Sequence, residues 1–280
     1  MRRLTIVHTT TFGYDEPVVA SYNEARMTPL TRTGQTVLST RIDVRPCTWQ
    51  WTYRDYWGTA VTAFEVLTPH RALTVTARHV VQVEEPPPPR PAGDWAELRD
   101  PALRDRLAEH LDDTASTAPP GEVVELAHRA VHRLGPGAAA VAVAEAVREQ
   151  VEYIPGTTTV HTPAAEAWAA RAGVCQDLTH LTLGALHAVG IPARYVSGYL
   201  DPRVDDAVGE PVVGESHAWL EYWAGGWFPL DPTNLRPVSS RHVALARGRC
   251  YGDVAPLRGI FAGPTNTQEL AVTVAITQEA

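Results

Sequence analysis

A cysteine, a histidine and an aspartate are the side chains of this chain whose types and surroundings could do covalent chemistry together. Cys175 stands in "RAGVCQDLTHLTLGALHAVGIPARYVSGYL", just after a glycine and at the head of an apolar run. Leu178, Leu181, Leu183, Leu186 and Val189 form the apolar side behind it, and Gly190 with Pro192 ends the helical pattern. The thiol therefore lies at a helix N-terminus, where backbone N–H groups lack intrahelical acceptors and the macrodipole favours an anion. Thiolate is the nucleophilic form of cysteine, and such positions favour it. Taken alone, the same feature also fits a buried structural cysteine at a helix start.

A nucleophile needs a base, and the base needs an orienting partner. In "GESHAWLEYWAGGWFPLDPTN" two strands flank a turn built on Ala224-Gly225-Gly226, which reads as a hairpin. If the loop has three or five residues, His217 and Asp231 come directly opposite or diagonally offset on one face, roughly 5–8 Å apart at Cβ. An even loop without a bulge puts them on opposite faces. On the odd reading, Cys175 attacks a carbonyl carbon, and His217 takes the thiol proton and later returns it to the leaving amine. Asp231 fixes the imidazole tautomer. The backbone N–H of Cys175 is a ready oxyanion donor, and Gln176 and Tyr153 are candidates for a second. Trp219 shares the His217 face and is a candidate to line the site. This chemistry needs no cofactor, and the absence of HExxH and CxxC spacings argues against a zinc site.

The elements that must position these residues are legible in outline. Residues 1–85 read as antiparallel strands: "LTIVHTTTFGY" and "LTVTARHVVQVE" alternate with period two, and "TWQWTYRDYWG" puts Trp49, Trp51 and Tyr53 on one face. Short strands with frequent turns suggest a β-sandwich. The proline run of "EEPPPPRPAGD" makes residues 86–95 a stiff, extended linker. From 96 to 280 helical patterns come first and strands afterwards, an α+β arrangement. Thr162-Pro163 reads as N-cap and first-turn proline of "AAEAWAAR". Arg194, at a strand start, reads as a salt-bridge partner, with Asp177 the candidate acid, and His180 reads as a packing residue.

"GVCQDLTHLTLGALHAVGIPARYVSGYL", "SHAWLEYW" and "WFPLDPTN" resemble the three motifs of the transglutaminase-like superfamily core. "YIPGTTTVHTPAAEAW", ahead of the cysteine, is similar to bacterial members. "YDEPV", "MTPL" and "DYWG" resemble the β-rich domain that precedes the core in many of them, and "YGDVAPLRGIFAG" resembles their tail. The resemblance implies a papain-like fold with Cys175, His217 and Asp231 as its triad. It also implies acyl transfer on a peptide or carboxamide through a Cys175 thioester. Hydrolysis, as a cysteine peptidase or amidase, is the first expectation. The alternatives are a protein-glutamine amine transferase and a non-catalytic scaffold module. Relatives associated with ATP-grasp peptide ligases suggest a functional link to such enzymes and a small-peptide substrate. Cys250, in "GRCYGDV", departs from an acidic residue usual in relatives.

A net charge of −8 with pI near 5.8 argues against a nucleic-acid partner held by a basic surface. The N-terminus alternates at once, without an apolar signal core, and no stretch approaches a membrane span. Three scattered cysteines do not make a disulfide framework, and a reducing cytoplasm is the expected compartment. Oligomeric state is not legible in the sequence.

Overall fold

The computed structural model describes residues 1–90, 92–203, 208–264 and 268–279. Six strands come first: β1 (Arg2–Val18), β2 (Ala20–Ala25), β3 (Gln35–Arg45), β4 (Trp49–Arg54), β5 (Ala60–Val66) and β6 (His70–Val83). A mainly helical stretch follows, with α1 (Trp95–Leu98), α2 (Pro101–Arg106), α3 (Gly121–Ala130) and α4 (Pro136–Gln150). It continues through β7 (Glu152–Tyr153), α5 (Ala164–Ala170), β8 (Ala172–Gly173) and α6 (Cys175–Ala188). The chain then runs through β9 (Ala193–Leu200), β10 (Pro211–Val213), β11 (Glu215–Trp223), β12 (Trp227–Leu230) and β13 (His242–Gly248). It ends with α7 (Tyr251–Val254), β14 (Leu257–Ala262) and β15 (Gln268–Glu279).

Two antiparallel sheets, ordered β10-β15-β1-β6-β3 and β14-β2-β5-β4, enclose Tyr14, Val18, Met27, Phe64, Leu73 and Val75 between them. This is the expected sandwich, but it draws strands from both ends of the chain. β15 pairs with β1 from Arg3↔Glu279 to Tyr14↔Gln268, and β14 pairs with β2. The span 96–280 therefore needs correcting: β10, β14 and β15 belong to the N-terminal sheets. The physical reason is that β1 and β2 would otherwise each present a row of unpaired backbone groups at a sheet edge. A strand pattern shows that β15 is a strand without showing whose edge it covers.

The core sheet is β12-β11-β9-β13, with α6 packed on β9 and β11. Its apolar interior is continuous with the first sheet: Leu4, Ile6, Val81 and Ile276 join Val143, Leu178, Leu183 and Leu186 in one cluster. β1 thus serves both cores, with Leu4 and Ile6 in one and Tyr14 and Val18 in the other. Among its described residues the proline segment carries no regular structure before α1, and its Gly93 end is tied down. Gly93 N–H donates to Ala224 O at 2.9 Å. A Cβ on Gly93 would stand 2.4 Å from Gly225 N, so only glycine permits this approach. Among the described residues no helix is long and apolar enough to cross a membrane.

On the sheet, Arg194 pairs with Glu221 at 2.6 Å rather than with Asp177. Arg247 at 2.9 Å and Arg32 at 3.4 Å complete a cluster of three guanidinium groups around this buried carboxylate. Burial alone would raise the Glu221 pKa, but the three arginines outweigh it and hold the group below its usual range. Its stabilising effect is therefore present above the ordinary carboxylate range and is lost as pH falls below it. Glu221→Gln leaves three crowded cations without their anion. The expected loss at pH 7 is about 3–5 kcal/mol, read from the denaturant midpoint.

Candidate active site

The start of α6 is built by several independent contacts. β7 and β8 pair in parallel, Glu152↔Ala172 and Tyr153↔Gly173, and this fixes the approach to Cys175. Val174 is the N-cap, and its carbonyl accepts from the amides of Asp177 (3.0 Å) and Leu178 (3.1 Å). The Asp177 carboxylate reaches back to the Val174 N–H at 2.8 Å and accepts from Thr158 Oγ1 at 2.6 Å. A side chain three residues into the helix thus satisfies an N-terminal donor and ties down the 154–163 loop. The preceding helix starts differently from expectation. Pro163, not Thr162, is the N-cap of α5, and the Thr162 hydroxyl accepts from Thr159 N–H instead.

The hairpin has the odd loop. Trp223 pairs with Trp227 and Leu220 with Leu230, which leaves Ala224–Gly226 as a three-residue turn. His217 and Asp231 are consequently on one face and diagonally offset, with His217 Nε2 2.9 Å from Asp231 Oδ2. A carboxylate can only accept, so Nε2 carries the hydrogen. The other ring nitrogen is then left for sulfur: Cys175 and His217 line one cavity, and the thiol is among the groups that raise the His217 pKa. Burial works to lower the His217 pKa, but the bonds to Asp231 and Cys175 outweigh it and push it up to about 10.

Asp231 is unusually well supplied with donors. Burial would raise its pKa, yet hydrogen bonds from His217, His242 and Asn234 hold it far below the usual carboxylate range. Oδ2 accepts from His217 and from Asn234 Nδ2 (2.8 Å), with His242 Nε2 at 3.4 Å. Oδ1 accepts from the amides of Thr233 (3.0 Å) and Asn234 (3.2 Å). Asn234 and His242 carry no assigned role in the sequence reading. Asn234 lies inside the "WFPLDPTN" motif, and the aspartate-initiated turn was its available signal. His242 had none.

Cys175, Gln176, Tyr195, Ser197, Ser216 and His217 line a cavity of about 200 Å³. Gln176 is thus within the site, its amide donating to Thr159 O at 3.4 Å. Tyr153 does not line this cavity. It stands in an adjoining groove of about 630 Å³ with Val212, Val213 and Val274, which meets the Cys175 cavity at Ser216. The β7–β8 pairing places Tyr153 beside Gly173 on a surface strand, half-exposed. Trp219 also needs correcting as a substrate-lining candidate. It does share the His217 face, stacking at 6.1 Å between ring centroids, but it is 0% exposed. Gly198 explains how it fits: a Cβ there would lie 2.4 Å from the indole. Trp219 is the floor under the imidazole.

His180 is buried, accepting from Tyr251 N–H at 3.0 Å, as a packing residue would. Cys47, Cys175 and Cys250 are all free thiols. His217, Asp231 and His242 offer one donor atom each within 4.8 Å, a set that could take a divalent cation. Each of those atoms is already engaged by its neighbours, so hydrogen bonding accounts for the cluster without an ion.

A helix-first, sheet-second core of papain-like type, joined to a β-rich N-terminal region, defines the class of protein. Residues 4–82 match the bacterial transglutaminase-like N-terminal region and residues 125–232 match the transglutaminase-like superfamily. The chain belongs to that superfamily. It is 45% identical over 278 residues to an uncharacterized protein of Mycobacterium leprae, covering 99% of both chains. Over 99% of its length and 98% of the other, it has the fold of a candidate cysteine protease from Cytophaga hutchinsonii, with TM-score 0.74 at 19% identity. A 103-residue segment, 33% of this chain and 15% of its relative, is 32% identical to a protein-glutamine gamma-glutamyltransferase of Pseudomonas aeruginosa.

Proposed function

We propose that this chain is a thiol-dependent acyl-transfer enzyme that hydrolyses a peptide or carboxamide bond through a thioester on Cys175. The observation that carries this reading is His217, bonded to a buried carboxylate and sharing a small cavity with the Cys175 thiol at a helix start. With its pKa raised to about 10, the His217 ring holds the proton given up by the Cys175 thiol as well as the Nε2 hydrogen, and sulfur attacks the carbonyl carbon. The oxyanion meets the Cys175 amide in the first helical turn. The imidazolium then protonates the leaving amine as the C–N bond breaks, leaving a thioester. Water, losing its proton to His217, releases the acid and restores the thiol. Asp231 keeps the Nε2 hydrogen in place throughout.

The surroundings favour an extended, uncharged peptide. On one side the cavity continues at Ser216 into the groove walled by Val212, Val213, Val272 and Val274. On the other it continues at Val160 and Tyr251 into a hollow of about 320 Å³ that includes Phe12, Tyr14 and Phe261. Strands of the N-terminal sheets thus supply part of both flanks, and we assign that region a role in shaping the substrate channel. The free thiols support work in a reducing compartment, the cytoplasm. The proposal includes a small-peptide substrate and a functional link to ATP-grasp peptide ligases, as the family resemblance suggests.

The test is a mixed library of uncharged and charged peptides, some carrying glutamine, incubated with the protein and a fluorescent primary amine. Cys175-dependent cleavage or deamidation, without amine in the products and favouring uncharged peptides, is expected. Amine incorporation in preference to hydrolysis would replace hydrolase by transferase, the activity named for the Pseudomonas relative.

A further inference from the structure

His242 is buried at the first residue of β13, and neither the acyl-transfer scheme nor the sandwich needs a histidine there. Its two ring nitrogens have different partners. Nδ1 lies 3.2 Å from the backbone nitrogen of Ser239, a group that can only donate, so Nδ1 must present its lone pair. The hydrogen of the uncharged ring is then on Nε2, which points at Asp231 Oδ2 from 3.4 Å. The backbone closes the same loop, with His242 N–H donating to Ser239 O at 3.0 Å. Trp219 packs edge-on against the ring at 5.4 Å and also stacks on His217. Two imidazoles thus approach one carboxylate oxygen over one indole floor; the carboxylate itself sets the His217 ring hydrogen, and the Ser239 N–H at Nδ1 sets that of His242.

We infer that His242 is a positioning residue: anchored through Nδ1 to the Ser239 amide, it donates Nε2–H to Asp231 Oδ2 and so fixes the carboxylate that orients His217. The inference rests on the proposed roles of Cys175, His217 and Asp231. Burial lowers the His242 pKa, against the pull of Asp231, so the ring stays a donor through one nitrogen and an acceptor through the other. Asn234 Nδ2 reaches the same oxygen from the loop side, so the carboxylate is gripped from the loop and from β13. Without the β13 grip Oδ2 is held from the loop side alone, and the His217 ring loses alignment with the thiol.

Glutamine can copy the pairing, because its amide oxygen and nitrogen are spaced like the two ring nitrogens. Phenylalanine keeps the volume and removes both bonds. The experiment measures the iodoacetamide alkylation rate of Cys175 at pH 7, resolved from Cys47 and Cys250 by peptide mapping. It uses the full chain as wild type, His217→Ala, His242→Phe and His242→Gln. Loss of one buried hydrogen bond to a charged group predicts that His242→Phe alkylates about tenfold more slowly. His242→Gln should return to within about threefold of wild type. The low-field proton of the His217–Asp231 bond in NMR spectra should survive in His242→Gln and shift or broaden in His242→Phe. If His242→Phe does not fold, His242→Asn, polar but one methylene short, takes its place and should be slow. A wild-type rate in His242→Phe, or equal slowing in His242→Phe and His242→Gln with the NMR signal unmoved, overturns the role of His242. A His217→Ala rate equal to wild type instead overturns the underlying triad.

Discussion

Cys175→Ala removes turnover by about 10⁴-fold or more while moving the unfolding midpoint by no more than a few degrees. The two halves of this expectation have separate causes. Cys175 is only partly buried and packs at the edge of the main core, so loss of its sulfur costs little packing. The chemistry has no substitute: among the described residues no other thiol lies in the cavity with His217. Alkylation gives an independent check that needs no substrate. Cys47 is exposed but its pKa is raised, chiefly by local desolvation, and Cys250 is buried. Iodoacetamide at neutral pH should therefore modify Cys175 first, and activity should fall in step with that single modification. The pH dependence follows from His217. Its folded pKa is raised from 6.5 to about 10, so its charged interaction with Asp231 is fully available below the unfolded value. That contribution disappears as pH rises through about 10. The Cys175 preference should accordingly hold at neutral pH, fade as pH rises through about 10 and vanish in His217→Ala.

Legibility in the sequence followed the range of the interactions. The apolar residues Leu178, Leu181, Leu183 and Leu186 of α6 were readable because helical spacing repeats within a few residues, and all four are fully buried; that the polar residues between them are buried too, from Gln176 to His187, was not. The His217–Asp231 offset was readable because a hairpin register depends on its own loop. Trp219 shows where this stops. Its face follows from strand alternation, but its depth depends on Gly198 of β9 and Val238 of the following loop, which close over it. The pairing of β15 with β1 joins the two ends of the chain, and no local pattern encodes that choice among open edges. His242 was invisible for a related reason. The order β12-β11-β9-β13 is not the order in sequence, and the segment between Asp231 and β13 brings the second histidine back to the carboxylate. What converges locally could be read; what converges through the sheet order could not.

Asp231→Asn is expected to lower turnover by about 10³–10⁴-fold with the fold retained, through a reversal of hydrogen-bond direction rather than a loss of contact. The wild-type carboxylate accepts from His217 Nε2, from His242 and from Asn234, and its other oxygen accepts from two backbone amides. An asparagine oxygen can retain only one set of those donors. If it keeps the Thr233 and Asn234 amides, its NH₂ group faces His217 Nε2. Nε2 must then accept, the ring hydrogen moves to the nitrogen facing sulfur, and that nitrogen can no longer take the thiol proton. If the amide flips, the NH₂ group confronts two backbone N–H donors and the turn after β12 is disrupted. Either orientation removes the buried negative charge, so the His217 pKa must fall from about 10 toward or below its ordinary 6.5. The measurable signature is a downward shift of that titration by NMR, together with slow Cys175 alkylation at neutral pH. Turnover that survives Asp231→Asn with an unshifted His217 titration would mean that the carboxylate holds the fold and takes no part in the chemistry.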